Sequence, residues 1–349
     1  MRILPPLCRG FVSLVLAAAA AGCAGGSSRA QSPREFFAGK TIIYIVATEA
    51  GGGYDAYGRL VSQYLGKHLG AGRVVVKNVP GGGHIVGTNE LYHARPDGLT
   101  LGTFNSGLIY AQLLQRRGLQ ARLDRMSWVG KAGGEPRLLV TSVQSGFRTL
   151  ADIRRAGRPL LIGAGGIGTE GYIDATLLAA AVGLQTRVVL GLATRDSQLS
   201  MMRGDTEAQF ISASSSRPLI AGGFGHVVMR VGSGAGVDED VPEAGDLVTT
   251  PNGARLVALI RAVAALSRWT AGPPGVPAER LEALRAAHAS ALADPDFLND
   301  ARRLDLPIQE MGGAALADTV TRVLSQPDDT LTMLAAASGE PGTPAPGAR

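Results

Sequence analysis

Cysteine is almost missing from this chain. Of 349 residues only Cys8 and Cys23 are cysteines. Cys8 lies in an N-terminal leader, so the mature chain keeps no pair for an internal disulfide. Aromatic residues make up only 5% and charged residues 18%. The net charge of +5 comes from scattered basic residues. No Lys/Arg run interleaved with aromatics occurs, which sets nucleic-acid binding aside. The histidines at 68, 84, 93, 226 and 288 show no metal-ligand spacing. No G-x-S-x-G nucleophile elbow is present, and no internal repeat is evident. What remains is a globular balance, 45% hydrophobic, in a chain long enough for two domains.

The N-terminus reads as an export leader. Arg2 and Arg9 precede the apolar run Phe11–Ala21, which is too short for a membrane span. Removing those two arginines takes the charge from +5 to +3. The run ends in Ala20-Ala21-Gly22-Cys23, which resembles a bacterial lipobox with Ala20 where leucine is usual. The resemblance implies cleavage after residue 22 and lipidation of Cys23; ordinary signal-peptidase cleavage nearby is the alternative. Residues 23–34 read as a Gly/Ser/Gln tether.

The stretch Thr41–Leu60 organises the rest of the chain. Thr41–Val46 is a β-branched and aromatic run that fits a buried strand. Tyr57, Leu60, Val61, Tyr64, Leu65 and Leu69 recur at helical spacing. Gly51, Gly52 and Gly53, with Tyr54 and Asp55, therefore stand between a strand end and a helix start. Free N–H groups and the positive end of the helix dipole suit an anion there. Asp55 is placed to cap or brace the turn. The pattern repeats. Arg73–Asn78 reads as a strand, Gly81-Gly82-Gly83-His84 as a second glycine turn, and Ile85–Ala94 as a helix. Leu99–Phe104 is a third strand, succeeded by the polar loop Asn105-Ser106-Gly107. Alternating strands and helices predict parallel pairing, with the loops at one sheet edge where ligands bind.

A second set of elements begins at Pro136–Val143, an apolar strand after Gly133-Gly134-Glu135. Helices are expected at Thr149–Gly157 and Tyr172–Val182, the latter apolar almost all round. Strands are expected at Arg187–Leu190, Glu207–Ile211 and Gly225–Met229, the last as the return crossing. Leu256–Leu266 and Ala278–Leu292 read as helices of the first lobe. Asp294-Pro295 starts another helix, and Gly312–Leu324 is the last. Asp152, Asp174 and Asp196 read as surface or capping residues. Residues 336–349, rich in Gly, Pro and Ala, are expected to be a disordered tail.

The motifs GGGYDAYGRL, VVVKNVPGGG and HARPDGLTLGT together resemble the solute receptors of tripartite tricarboxylate transporters, the Bug receptors. The resemblance extends through Gly165–Thr169, Leu190–Asp205 and Thr270–Pro277, covering residues 35–325. It implies an α/β, two-lobed type II periplasmic-binding-protein fold, each lobe a mostly parallel sheet flanked by helices. Lobe 1 would comprise 35–135 and 231–335, and lobe 2 residues 136–230. It further implies a periplasmic, monomeric, non-catalytic receptor without cofactor or metal. Its partners would be a small organic carboxylate and membrane transporter subunits. By motif match the ligand residues are Gly51–Asp55, Gly81–Gly83, Gly168, Thr169 and Thr194, with His84 and Ser106 beside them.

Two positions depart from the family pattern. Glu49-Ala50 stands where proline is usual, and His84 where a small residue is usual. A cationic His84 would offset Glu49; the preferred reading is a solvated Glu49 and a His84 packed on its turn. Two alternatives to transport remain: an orphan sensor serving a membrane histidine kinase, and an α/β hydrolase or oxidoreductase. Gly163–Gly168 fits G-x-G-x-x-G, but no acid is found between Gly183 and Gly191 to hold a ribose. Gly39-Lys40-Thr41 precedes a strand rather than a helix and fails as a phosphate loop.

Overall fold

A computed structural model of the chain describes residues 33–234, 237–238 and 240–338. The leader, Cys23, most of the tether and residues 339–349 lie outside the described residues. The first half runs α1 (Pro33–Phe37), β1 (Thr41–Val46), α2 (Gly53–Leu69), β2 (Arg73–Asn78), α3 (Ile85–Tyr92), β3 (Thr100–Thr103) and α4 (Leu108–Leu113). Next come β4 (Ser127–Lys131), β5 (Arg137–Ser142), α5 (Leu150–Arg155), β6 (Leu160–Gly163), α6 (Glu170–Val182) and β7 (Thr186–Val189). Then come α7 (Thr194–Arg203), β8 (Ala208–Ser212), α8 (Ala213–Ala221), β9 (Gly225–Val231), α9 (Ala244–Leu247) and α10 (Pro251–Ala265). The chain closes with β10 (Trp269–Gly272), α11 (Ala278–Leu292), α12 (Pro295–Arg303), β11 (Met311–Gly312), α13 (Gly313–Leu324) and α14 (Asp328–Ser338).

Two sheets result, with orders β11-β4-β10-β3-β1-β2 and β7-β6-β8-β5-β9. They give the chain the expected α/β architecture of two lobes. Both sheets are mixed rather than mostly parallel. β1 lies parallel between β2 and β3, and β6 parallel between β7 and β8. β10 runs against β3 and β4, and β5 against β8 and β9. The antiparallel members include β5 and β9, on which the chain enters and leaves the second sheet. A strand arriving from the other lobe has no helical crossover to set it parallel.

Three boundaries shift. Pro33 and Arg34, read as tether, open α1, and residues 336–338, read as tail, complete α14. α10 and α14, expected with the first sheet, pack against α6 of the second. Their cover explains why α6 is apolar nearly all round: Ile173, Leu177, Leu178 and Val182 are all buried.

The first sheet is anchored by Trp128, Trp269 and Phe104. The two indole centroids lie 4.9 Å apart, with Phe104 5.1 Å from Trp269. Trp269 Nε1 donates to the Phe104 carbonyl at 2.8 Å, so the ring is fixed as well as buried.

Candidate functional site

The carboxyl ends of strands from both sheets enclose a cavity of about 380 Å³. Helix beginnings form most of its wall. Gly53 and Tyr54 open α2, and Gly81–His84 lead into α3. From the second sheet come Thr169 and Glu170 at the start of α6, Ala193 and Thr194 at the start of α7, and Ser212 at the start of α8. Each start presents N–H groups without intrahelical acceptors and the positive end of a macrodipole.

The first glycine turn is held shut from behind. Gly51 N–H donates to Asp55 Oδ2 at 2.9 Å, and Asp55 also accepts from Arg59 Nε at 3.0 Å and Asn78 Nδ2 at 2.9 Å. Burial works against the Asp55 charge, but these hydrogen bonds outweigh it and keep its carboxyl below the ordinary range. Asp55 is thus a brace, and it lies outside the cavity lining together with Gly51 and Gly52. Gly52 has extended backbone, and a Cβ there would meet nothing, so glycine is not required. Gly53 is tighter: an added Cβ would sit 2.9 Å from Arg268 Nη2, so the guanidinium would have to shift.

The second turn is unusual in its backbone. Gly81, Gly82, Gly83 and His84 have φ of 126°, 59°, 67° and 75° in succession. His84 Nδ1 donates to the Ala47 carbonyl at 3.0 Å. Burial lowers the His84 pKa, against the pull of that hydrogen bond and of Glu49 and Glu170, so the ring is neutral at pH 7. It packs on its turn and supplies no cation beside Glu49.

Of the remaining expected residues, Thr169 and Thr194 line the cavity, whereas Ser106 and Gly168 do not. The Thr169 hydroxyl is already used. It donates to the Gly166 carbonyl at 2.8 Å and accepts the Tyr172 N–H at 3.4 Å as the cap of α6. Ser106 is fully buried and donates to Glu170 Oε1 at 2.7 Å, with Tyr54 OH 3.1 Å from its Oγ. A Cβ on Gly168 would overlap the Arg116 guanidinium. Gly168 therefore makes room for Arg116, whose Nη2 donates to the Ile167 carbonyl at 2.6 Å.

The charged floor of the cavity was not anticipated. Arg137 and Arg268 both line it and are both buried. Arg137 Nε donates to Asp174 Oδ2 at 2.9 Å, and its Nη1 lies 3.7 Å from Glu170 Oε2. Asp174, read from the sequence as a surface or capping residue, is buried and also accepts from Tyr110 OH at 2.9 Å. Burial pushes its pKa up to about 7, with the Arg137 charge opposing. Arg268 Nη2 donates to Glu135 Oε1 at 3.3 Å and to Ser212 Oγ at 3.2 Å. Its guanidinium lies 4.3 Å from the Tyr54 ring centroid and 5.2 Å from that of Tyr57. Arg268 itself has φ of 63°, a conformation uncommon for a side-chain-bearing residue, and its Nε is buried without a partner. The signal for these residues was present in outline: an arginine beside the apolar run of β5 and an aspartate inside apolar α6 are charges that burial tolerates only in pairs.

Several contacts join the lobes. Ser106 reaches Glu170, Tyr110 reaches Asp174, and Arg268 reaches Ser212. At the rim, Arg116 bonds Ile167, Arg217 pairs with Asp305, and the Arg195 guanidinium lies over Gly51. The structure is therefore a closed arrangement.

Two lobes closed over a cavity lined by helix starts define the class: this is the periplasmic-binding-protein fold. BugD, a periplasmic binding protein, superposes with a TM-score of 0.70 at 18% identity, over 86% of this chain and 98% of its own. MatC from Rhodopseudomonas palustris, solved with bound malate, gives 0.67 at 21% identity, over 84% of this chain and 99% of its own. The UPF0065 protein of the tcbD-tcbE intergenic region of Pseudomonas sp. (strain P51) is 27% identical over 314 residues, 87% of this chain and 89% of that protein. No family model matches the chain. The resemblance to the Bug receptors carried by the glycine motifs is borne out by these relatives, whose fold the chain shares.

Proposed function

We propose that the chain is a periplasmic, non-catalytic receptor. It captures a small organic carboxylate between its lobes and delivers it to a tripartite tricarboxylate-type membrane transporter. The observation that carries this reading is the convergence of helix starts from both lobes, with the left-handed glycine turn, on one cavity. Backbone donors and dipoles placed this way favour an anion without requiring an unpaired cation. Arg137 and Arg268 add positive charge that Glu135, Glu170 and Asp174 largely balance, so the grip on the ligand falls mainly to the backbone. MatC, solved with malate, is consistent with a carboxylate as cargo.

A thermal-melt screen of the purified chain against mono-, di- and tricarboxylates, with NAD as comparator, tests the reading. A ligand at a hundred times its Kd is expected to add about 2.7 kcal/mol to stability, a clear rise in Tm. A rise with NAD and none with any carboxylate would overturn the proposal. Membrane attachment through Cys23 belongs to the same proposal and rests on the leader and its Ala-Gly-Cys ending. More than one acyl chain gives stable anchoring, so Cys23→Ser is expected to release the protein from the membrane fraction. An unmodified N-terminus downstream of Cys23, read by mass spectrometry, would remove the lipid but not export.

A further inference from the structure

Fully ionised, the floor of the cavity would carry more negative charge than positive. Arg137 and Arg268 face the three carboxylates of Glu135, Glu170 and Asp174, and all of these side chains are buried. Arg268 is matched by Glu135. Arg137 is left with two carboxylates one turn apart on α6. Asp174 Oδ2 lies 2.9 Å from its Nε, and Glu170 Oε2 lies 3.7 Å from its Nη1. Arg137 and Glu170 line the cavity, and Asp174 stands behind them. Both carboxylates also bridge the lobes, Glu170 to Ser106 and Asp174 to Tyr110. Two carboxylates sharing one guanidinium out of water hold a proton more readily than either would alone. Burial already lifts Asp174 to about 7. An anion entering the cavity beside Glu170 would raise the proton affinity of the pair further. The other titratable groups facing the pair do not compete for that proton. Burial pushes the phenols of Tyr54 and Tyr110 well above their ordinary range and keeps His84 neutral at pH 7. On the elements packed against α6, the charged residues are Arg187 of β7, Asp246 of α9, Arg255 and Arg261 of α10, and Asp328 and Asp329 of α14. All six are exposed, and β8 carries none.

We propose that binding of an anion between the lobes is coupled to the uptake of one proton by Glu170 and Asp174, which share it over Arg137. The proton cancels the excess negative charge of the floor and frees the Arg137 guanidinium to act on the ligand. This coupling rests on the carboxylate-receptor proposal and adds a second ligand, the proton, to it. Linkage fixes the sign. The anion raises the affinity for the proton, so the proton raises the affinity for the anion by the same factor. Anion affinity is greatest below the apparent pKa of the free pair. It falls as pH rises through that value, until the pair in the complex has lost its proton as well.

The test is calorimetric titration of the full mature chain with malate, succinate and adipate, whose own carboxyls are ionised above pH 7. Repeating each titration in buffers of different ionisation enthalpy counts the protons exchanged. Net uptake of about half a proton or more per acid bound is expected between roughly pH 7 and 8.5, with affinity about fivefold or more higher at the lower end. In Asp174→Asn the floor is neutral without a proton, so the uptake is expected to vanish and the affinity to become flat with pH. Glu170→Gln is the second variant should the first fail to fold, and the same outcome is expected. A purely structural role for either carboxylate would change affinity but leave the proton count as it is in the parent. Binding by the parent chain without proton uptake, or uptake that survives in either variant, overturns the proposal and leaves the carboxylate receptor standing. Binding of none of the three acids overturns both.

Discussion

Arg268→Met is expected to destabilise the folded chain by about 3–5 kcal/mol, the usual cost of stranding one member of a buried ion pair. The stranded group is Glu135, whose side chain is 1% exposed, against 4% for Arg268. Burial raises the Glu135 pKa, but the Arg268 charge together with hydrogen bonds from Ser214 and Arg268 outweighs it, so the carboxyl sits below its ordinary value. Once the guanidinium is gone, hydrogen bonds such as that from the Ser214 N–H, 2.7 Å from Glu135 Oε2, are left to support that charge. Urea unfolding reads the loss as a lower midpoint with an unchanged slope. The double variant with Glu135→Gln is expected to recover much of it, because no charge is then left buried. A single variant as stable as the parent would mean that the pair contributes nothing. Binding should fall as well, since Arg268 lines the cavity and crosses to Ser212 of the other lobe.

Gly83→Val is expected to weaken carboxylate binding by about a hundredfold or more. Part of the effect is local: a side chain in the left-handed region costs about 1–2 kcal/mol per residue, and Gly83 has φ of 67°. The larger part falls on closure. A Cβ on Gly83 would lie 3.1 Å from Arg116 Nη1 and 3.4 Å from the Ile167 carbonyl, where the rim of one lobe meets the other. The two branches of valine have no room there, so the variant favours the open state, and ligand affinity falls with the closed population. Gly52→Val is the control. Its backbone is extended and the space beside it is open, so binding and stability close to those of the parent are expected. Calorimetric titration of both variants with the best carboxylate of the screen decides it. Gly83→Val binding like the parent would remove this turn from the closing surface.

The contrast between these two glycines marks how far the sequence could be read. Strand, glycine turn and amphipathic helix are local patterns, so β1, α2, β2 and α3 were legible to within a few residues. Which glycine within a turn carries the burden was not, because that depends on what approaches it from elsewhere in the chain. Gly53 is set by Arg268, and Gly168 by Arg116. The charged floor was hidden for the same reason. Glu135 and Arg268 are 133 positions apart, and Tyr110 and Asp174 are 64 apart. A buried carboxylate and a surface one look alike until the partner is in place. The mixed pairing of the sheets escaped because strand direction for β5 and β10 is decided by where the chain crosses between lobes, which no short window records.

The left-handed turn at Gly81–His84 also bears on how such a receptor can change over generations. Its donors are peptide N–H groups, which every amino acid except proline carries, so no single codon change converts them into a different recognition group. Substitution there mostly removes function by conformational strain. The wall formed by Gln209, Thr194 and Glu170 is different, since each contributes side-chain chemistry that one mutation exchanges without disturbing the mirror-image backbone opposite. On the proposed function, the molecule separates an inheritable constant, affinity for an anion, from an adjustable variable, the pattern of groups that the rest of the ligand must present. Duplicate copies of such a gene would be expected to diverge on the second wall first and to keep the glycines.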